Sequence, residues 1–117
     1  MKQIFLFCLL SCSVMFATAQ TTSQLSTTPD PSKPVMIVTA ACGKCLFGMT
    51  ANDCTLAVRI KGKTYFVEGT GIDDHGDAHA KKGLCNATSK AEVQGEIVGN
   101  RFRATYFKLL SAPAKTN

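Results

Sequence analysis

The chain has 117 residues, of which 45% are hydrophobic and 18% are charged, and its formal net charge is +5. This length leaves room for one small domain. A domain of that size buries only a modest core, which disulfides or metal ions commonly reinforce. The basic residues are spread along the chain instead of forming a run, so the charge requires no polyanion, and we expect no nucleic acid partner.

Residues 1–19 have the pattern of a secretory signal peptide. Lys2 precedes an apolar run from residue 4 to 16, and Ala17-Thr18-Ala19 provides the small residues that signal peptidase accepts. The run is short for a membrane span, so we predict an exported, periplasmic or extracellular protein whose mature chain has no transmembrane span. An alternative is a lipoprotein anchored at Cys12, which the apolar residues that continue past that cysteine disfavour.

The next segment, residues 20–34, is rich in Thr, Ser and Pro and has almost no large apolar side chain. Because it cannot bury enough surface to offset its ordering entropy, we predict a flexible tether. Residues 35–110 follow as a single small β-barrel domain, and residues 111–117 form a polar tail.

Five segments of the predicted domain have strand character, because they are rich in β-branched or aromatic residues or alternate apolar with polar positions. They are residues 35–38, 54–60, 64–67, 92–97 and 101–107. Between the third and fourth segments, residues 73–89 contain several Ala and Lys residues, with Asp77 as a candidate N-cap. We expect a short helix there.

Three strands, a helical connection and two further strands are the order of an oligonucleotide/oligosaccharide-binding barrel, the OB fold. We therefore predict a mainly β protein, a small five-stranded OB-like barrel with one short helix between strands 3 and 4. The alternative architecture is an open, sandwich-like meander with one helix.

Four cysteines fall within the predicted domain: Cys42, Cys45, Cys54 and Cys85. Exported proteins meet an oxidising compartment, and an even number of thiols in a small domain is typical of disulfide cross-links. All four are therefore disulfide candidates, and the sequence leaves the three pairings open.

The same four thiols also have the chemistry of a soft-metal site. Four thiolates suit tetrahedral zinc, and a mixed set that includes His75 and His79 is a second arrangement. The two histidines are four residues apart, which places them on one face if that segment is helical. Met49 would add a soft ligand suited to Cu(I). The metal hypothesis therefore names zinc or copper, with four cysteines and two histidines as candidate ligands.

The Cys42-Gly-Lys-Cys45 motif raises the alternative of a thiol-disulfide redox protein. Such a pair requires its first thiol at a helix N-terminus, whereas here Cys42 follows a strand and no βαβ pattern surrounds it. No phosphate-binding glycine loop, nucleophile elbow or triad order is present. We interpret the chain as an exported non-enzymatic binding or structural module. A disulfide-stapled OB-type domain that binds an unknown ligand or protein is the remaining alternative.

Five segments between residues 41 and 110 form a distinctive combination: Cys42-Gly-Lys-Cys45, Leu56-Ala57-Val58, Asp73-Asp74-His75-Gly76-Asp77-Ala78-His79, Cys85-Asn86 and Phe107-Lys108-Leu109-Leu110. With these segments the chain resembles an uncharacterised family of small exported proteins of Bacteroidetes-type bacteria, described as a domain of unknown function. The resemblance implies export and a small domain, and it implies no particular activity.

Overall fold

The structure, a computed structural model, describes residues 25–110. The elements of this part of the chain are β1 Met36–Cys42, α1 Gly43–Leu46, β2 Leu56–Ile60, β3 Lys63–Glu68, a 3-10 helix Ile72–His75, β4 Ser89–Val98 and β5 Arg101–Leu109. The predicted signal peptide, the lipoprotein alternative at Cys12 and the polar tail lie outside the described residues. Within residues 25–110, no helix is both long enough and apolar enough to cross a membrane.

The five strands close into a barrel in the order β1-β2-β3-β5-β4, with β4 pairing back onto β1. Every neighbouring pair is antiparallel except β3 and β5, which run parallel. The β2–β3 hairpin turns through Lys61 and Gly62, whose φ angles of 50° and 82° match the twist of the flanking strands. This architecture confirms the predicted five-stranded OB-like barrel, with its short helix between strands 3 and 4.

The core fills the barrel with side chains from alternating strand positions. Leu56, Val58 and Ile60 point inward from β2, as their period-two spacing predicts. Ala57 lies on the other side of β2, yet it is also fully buried, because Gly43 of α1 packs against it. The helix α1 itself was not predicted, since residues 42–53 have the composition of a loop.

The connection between β3 and β4 differs from the prediction in where its helix lies. The helix expected within residues 73–89 is a 3-10 turn that begins at Ile72 and ends at His75. Tight turns follow it, and the carboxylate of Asp77 accepts the His79 N–H at 3.0 Å instead of capping a longer helix. Gly83 is required in these turns, because a Cβ there would collide with the carbonyl oxygens of Asp77 and Ala78.

Residues 25–34, which were predicted to belong to a flexible tether, lie against the outer face of the barrel. Ser26 forms a bridge to Tyr106, and its N–H donates to Thr105 at 2.7 Å. The buried side chain of Gln94 accepts the Asp30 N–H at 2.7 Å and donates to the carbonyls of Asp30 and Lys33, each at 2.8 Å. Residues 20–24 of the predicted tether lie outside the described residues, and the tether stays a prediction.

Candidate metal centre

The four cysteines reach one end of the barrel from four places in the chain. Cys42 is the last residue of β1, Cys45 lies in α1, Cys54 lies two residues before β2, and Cys85 lies in the turns before β4. β1 and β2 are antiparallel, with Cys42 opposite Leu56, so the end of β1 lies beside the entry to β2. Barrel closure thus brings together thiols that the sequence separates by up to 43 positions.

A main-chain hydrogen bond brings the fourth thiol to the other three. The Cys42 N–H donates to the Leu84 carbonyl at 2.8 Å, which holds the neighbouring Cys85 beside the end of β1. The amide of Asn86 donates to the carbonyls of His79 and Ala80 at 3.1 and 2.8 Å. These two bonds fold the preceding turns back onto the residue that follows Cys85.

The four sulfur atoms form one compact group. All of them lie within 4.8 Å of one another, and none of the four thiols is bonded to another. The Cys54 sulfur is 3.1 Å from that of Cys85 and 3.6 Å from that of Cys45. Tetrahedral zinc, with Zn–S bonds of about 2.3 Å, sets its sulfurs about 3.8 Å apart. The separations therefore bracket those of a four-sulfur metal site.

The four thiols differ in burial and in acidity. Burial raises the pKa of Cys42, but hydrogen bonds from the Cys45 backbone, from the Cys45 and Cys54 thiols and from the Thr55 backbone together outweigh it and lower that pKa to about 7. Hydrogen bonding with Cys42 raises the pKa of Cys45 to about 11, and hydrogen bonding with Cys85 does the same for Cys54. Burial raises the pKa of Cys85. The pKa of Cys42 is therefore lowered, whereas the pKa values of the other three thiols are raised.

Gly43 shapes the turn between the first two thiols. Its N–H donates to the Thr55 carbonyl at 2.9 Å, and a Cβ on this residue would lie 2.9 Å from both Met49 Sδ and Phe66 Cε1. A Cβ here would therefore force Met49 or Phe66 to shift, so the packing favours glycine between Cys42 and Lys44. Sequence reasoning missed the roles of Gly43 and of the Thr55 amide. The sequence indicates these two residues only by their position, since Gly43 directly follows Cys42 and Thr55 directly follows Cys54.

Neither histidine belongs to the four-sulfur group. The His75 Nε2 lies 2.9 Å from the Thr70 hydroxyl, and its ring packs 4.7 Å from that of Phe107, where burial lowers its pKa. His79 is exposed in the turns that follow. The two rings do not share a helical face, because the 3-10 helix ends at His75. The mixed cysteine–histidine ligand set therefore has no support from their placement.

A family model matches residues 36–110, which run from the first residue of β1 to the residue after β5. The matched segment contains all four cysteines of the candidate site. No curated protein and no solved structure matches the chain. Because the match covers more than half of the sequence, the chain belongs to the family of unknown function DUF6370.

Proposed function

We propose that this protein is a non-enzymatic metal-binding module in which four cysteine thiolates hold one soft transition metal ion, with zinc as its first candidate. The observation that carries the proposal is the mutual proximity of the sulfurs of Cys42, Cys45, Cys54 and Cys85, all within 4.8 Å. A single ion at their centre would neutralise part of the charge of four thiolates and would bind all four at once.

The arrangement favours a metal over two disulfides. A disulfide pairs each sulfur with one partner at about 2.05 Å, so two disulfides divide four sulfurs into two separate pairs. Here the Cys54 sulfur is close to two others, those of Cys45 and Cys85, at 3.6 and 3.1 Å. One sulfur with two close sulfur neighbours is the arrangement expected when all of the thiolates bind the same metal ion.

The arrangement also favours a metal over thiol-disulfide catalysis by the Cys42–Cys45 pair. Catalysis requires an accessible thiol of low pKa. The thiol whose pKa is lowered, Cys42, is fully buried, whereas the exposed thiol, Cys45, has a raised pKa. Accessibility and acidity thus lie on different residues. The two backbone N–H groups directed at the Cys42 sulfur are instead well suited to stabilise a metal-bound thiolate.

Four thiolates around one point suit zinc, whose structural sites are tetrahedral and commonly built from four cysteines. Copper(I) also prefers thiolate ligands and is the second metal to test. We further propose that the protein binds its metal after export, because residues 1–19 have the pattern of a signal peptide.

The proposal is tested by metal content and thiol protection. The reduced full chain is loaded with zinc or copper(I), dialysed and analysed for metal, while a maleimide counts the accessible thiols. We expect one zinc per chain, slow labelling of Cys42, Cys54 and Cys85, and faster labelling of these three thiols after a chelator removes the metal. Cys54→Ser should lose most of the zinc, whereas His79→Gln, as a matched control, should keep it. Reduced protein that retains no metal would contradict the proposal.

A further inference from the structure

The four sulfurs of the proposed site differ in how far solvent reaches them. Cys42 is fully buried, and Cys54 and Cys85 are partly buried against the hydrophobic core. Of the four, Cys45 alone is exposed. A molecule that approaches a bound ion therefore reaches it first on the Cys45 side.

The four cysteines differ in the main-chain hydrogen bonds that hold them in place. Two main-chain hydrogen bonds hold Cys42 and Cys85 directly: the Cys42 N–H donates to Leu84 at 2.8 Å, and the Cys85 N–H donates to Ala78 at 2.9 Å. A third joins Gly43, the first residue of α1, to Thr55 at 2.9 Å. Cys45 instead lies on α1, a single turn of four residues. The start of this turn is held at Gly43, whereas Cys45, two residues further on, is exposed, so a displacement of its side chain disturbs fewer buried contacts than one of Cys42 would.

The surface around Cys45 is open and carries both an apolar and a basic group. Its neighbour Leu46 is 37% exposed. Its other neighbour, Lys44, is also exposed, and its ammonium donates to the Asn52 carbonyl at 3.2 Å. This positive charge next to the exposed sulfur would attract an incoming thiolate.

We infer that Cys45 is the exchangeable ligand of the site, through which the bound ion passes to or from a thiolate of another molecule. The inference rests on the proposed function. An incoming thiol releases its proton to solvent, its thiolate sulfur binds the metal, and solvent returns one proton to the Cys45 sulfur. The metal–Cys45 bond thus breaks as the new metal–sulfur bond forms. No electron is transferred, and the charge of the complex is unchanged. The intermediate keeps the metal on Cys42, Cys54 and Cys85.

The first test uses the unmutated full chain loaded with zinc. It is treated briefly with iodoacetamide, and the modified cysteines are identified by peptide mass mapping. We expect Cys45 to be alkylated roughly tenfold or more faster than Cys42, Cys54 or Cys85, because it is the accessible and exchangeable thiol. Retained zinc with equal labelling of all four, or with Cys54 or Cys85 labelled first, would overturn the inference and leave the proposed function standing.

The second test asks whether a small thiol can replace the side chain of Cys45. Native mass spectrometry of Cys45→Ser with zinc and 2-mercaptoethanol should detect one zinc and one mercaptoethanol bound to each chain. Cys54→Ser is the matched control and should not be rescued. A Cys45→Ser chain whose zinc takes up no mercaptoethanol, or a Cys54→Ser chain that takes it up equally well, would overturn the inference. Loss of zinc from the unmutated chain would overturn the proposed function and this inference together.

Discussion

The sulfur atoms of Cys54 and Cys85 lie 3.1 Å apart, although 31 positions separate the two residues along the chain. One residue stands before β2 and the other before β4, and the two segments meet beside the end of β1, where the Cys42 N–H binds the Leu84 carbonyl at 2.8 Å. This contact therefore forms only in the closed barrel. The two thiols are close enough to react with each other, or to bind one ion together, only after the domain has folded.

Oxidation of the metal-free protein is expected to join Cys54 to Cys85 first. The two sulfurs are already closer than those of Cys45 and Cys54, which are 3.6 Å apart, and a disulfide requires about 2.05 Å. Oxidised glutathione accepts the two electrons and is released as two reduced molecules, while the two cysteines lose their protons. Peptide mapping identifies the bond. Zinc-loaded protein is the control and should stay reduced, and a first bond between Cys42 and Cys45 would contradict this expectation.

Gly43→Ala is expected to destabilise the domain and to weaken zinc binding. The new Cβ would press on Met49 and Phe66, and over-packing of this kind costs about 1–3 kcal/mol. The turn that carries Cys45 would shift as a consequence. Urea unfolding and a competitive zinc titration measure the two effects. Gly71→Ala is the control, because a Cβ there meets only Asp74 at an ordinary 3.5 Å, and its stability should be close to that of the unmutated protein.

His75 is expected to make the fold less stable as the solution becomes acidic. Burial lowers its pKa below the ordinary value of 6.5, so the unfolded chain binds the proton more readily than the folded one. The stability that the neutral ring contributes is fully present above pH 6.5 and is lost as the pH falls through the lower folded value. Urea midpoints measured across this range should therefore fall.

His75→Gln should flatten this part of the pH profile, and His79→Gln, at an exposed position, should leave it unchanged. The pH dependence of the metal site is common to all three proteins, so the difference between the variants reports on His75. If the urea midpoints of the two variants depend on pH in the same way, the buried His75 ring does not cause the loss of stability at acidic pH.

Gln94→Leu is expected to cost about 1–3 kcal/mol of stability, because it leaves the backbone groups of Asp30 and Lys33 without their buried partner. The segment from residue 25 to 34 should then become sensitive to proteolysis. Urea unfolding and limited digestion measure both effects. Ser32→Ala removes only an exposed hydroxyl that donates to Asp30, so it should have little effect. Equal protease sensitivity of the two variants would contradict the role of Gln94.

The strand pattern of this fold could be predicted from its sequence, because alternation such as that of Leu56, Val58 and Ile60 is a local signal. The contacts of residues 25–34 could not be predicted in this way. They depend on Gln94, which is buried on the outer face where the β4–β5 pairing shifts register between Gln94 and Gly95. A bulge of this kind depends on the partner strand, so no local pattern indicates it.

The candidate site was also only partly predictable. The sequence indicated the four cysteines as one set, because an even number of thiols in a small domain with a predicted signal peptide suggests disulfides or a metal site. It did not separate them from His75 and His79, since the assumed helix would have carried both rings together. Instead of a helix, the residues after His75 form tight turns in which Gly83 packs against the carbonyl groups of Asp77 and Ala78. This packing exists only in the folded chain, so the local sequence does not indicate it.

X-ray absorption at the zinc edge of the reduced, zinc-loaded full chain tests the central claim most directly, because it counts the atoms bonded to the ion. The account predicts a single shell of four sulfurs at about 2.3 Å, with no nitrogen contribution from His75 or His79. A shell that contains nitrogen or oxygen in place of two or more sulfurs would contradict it.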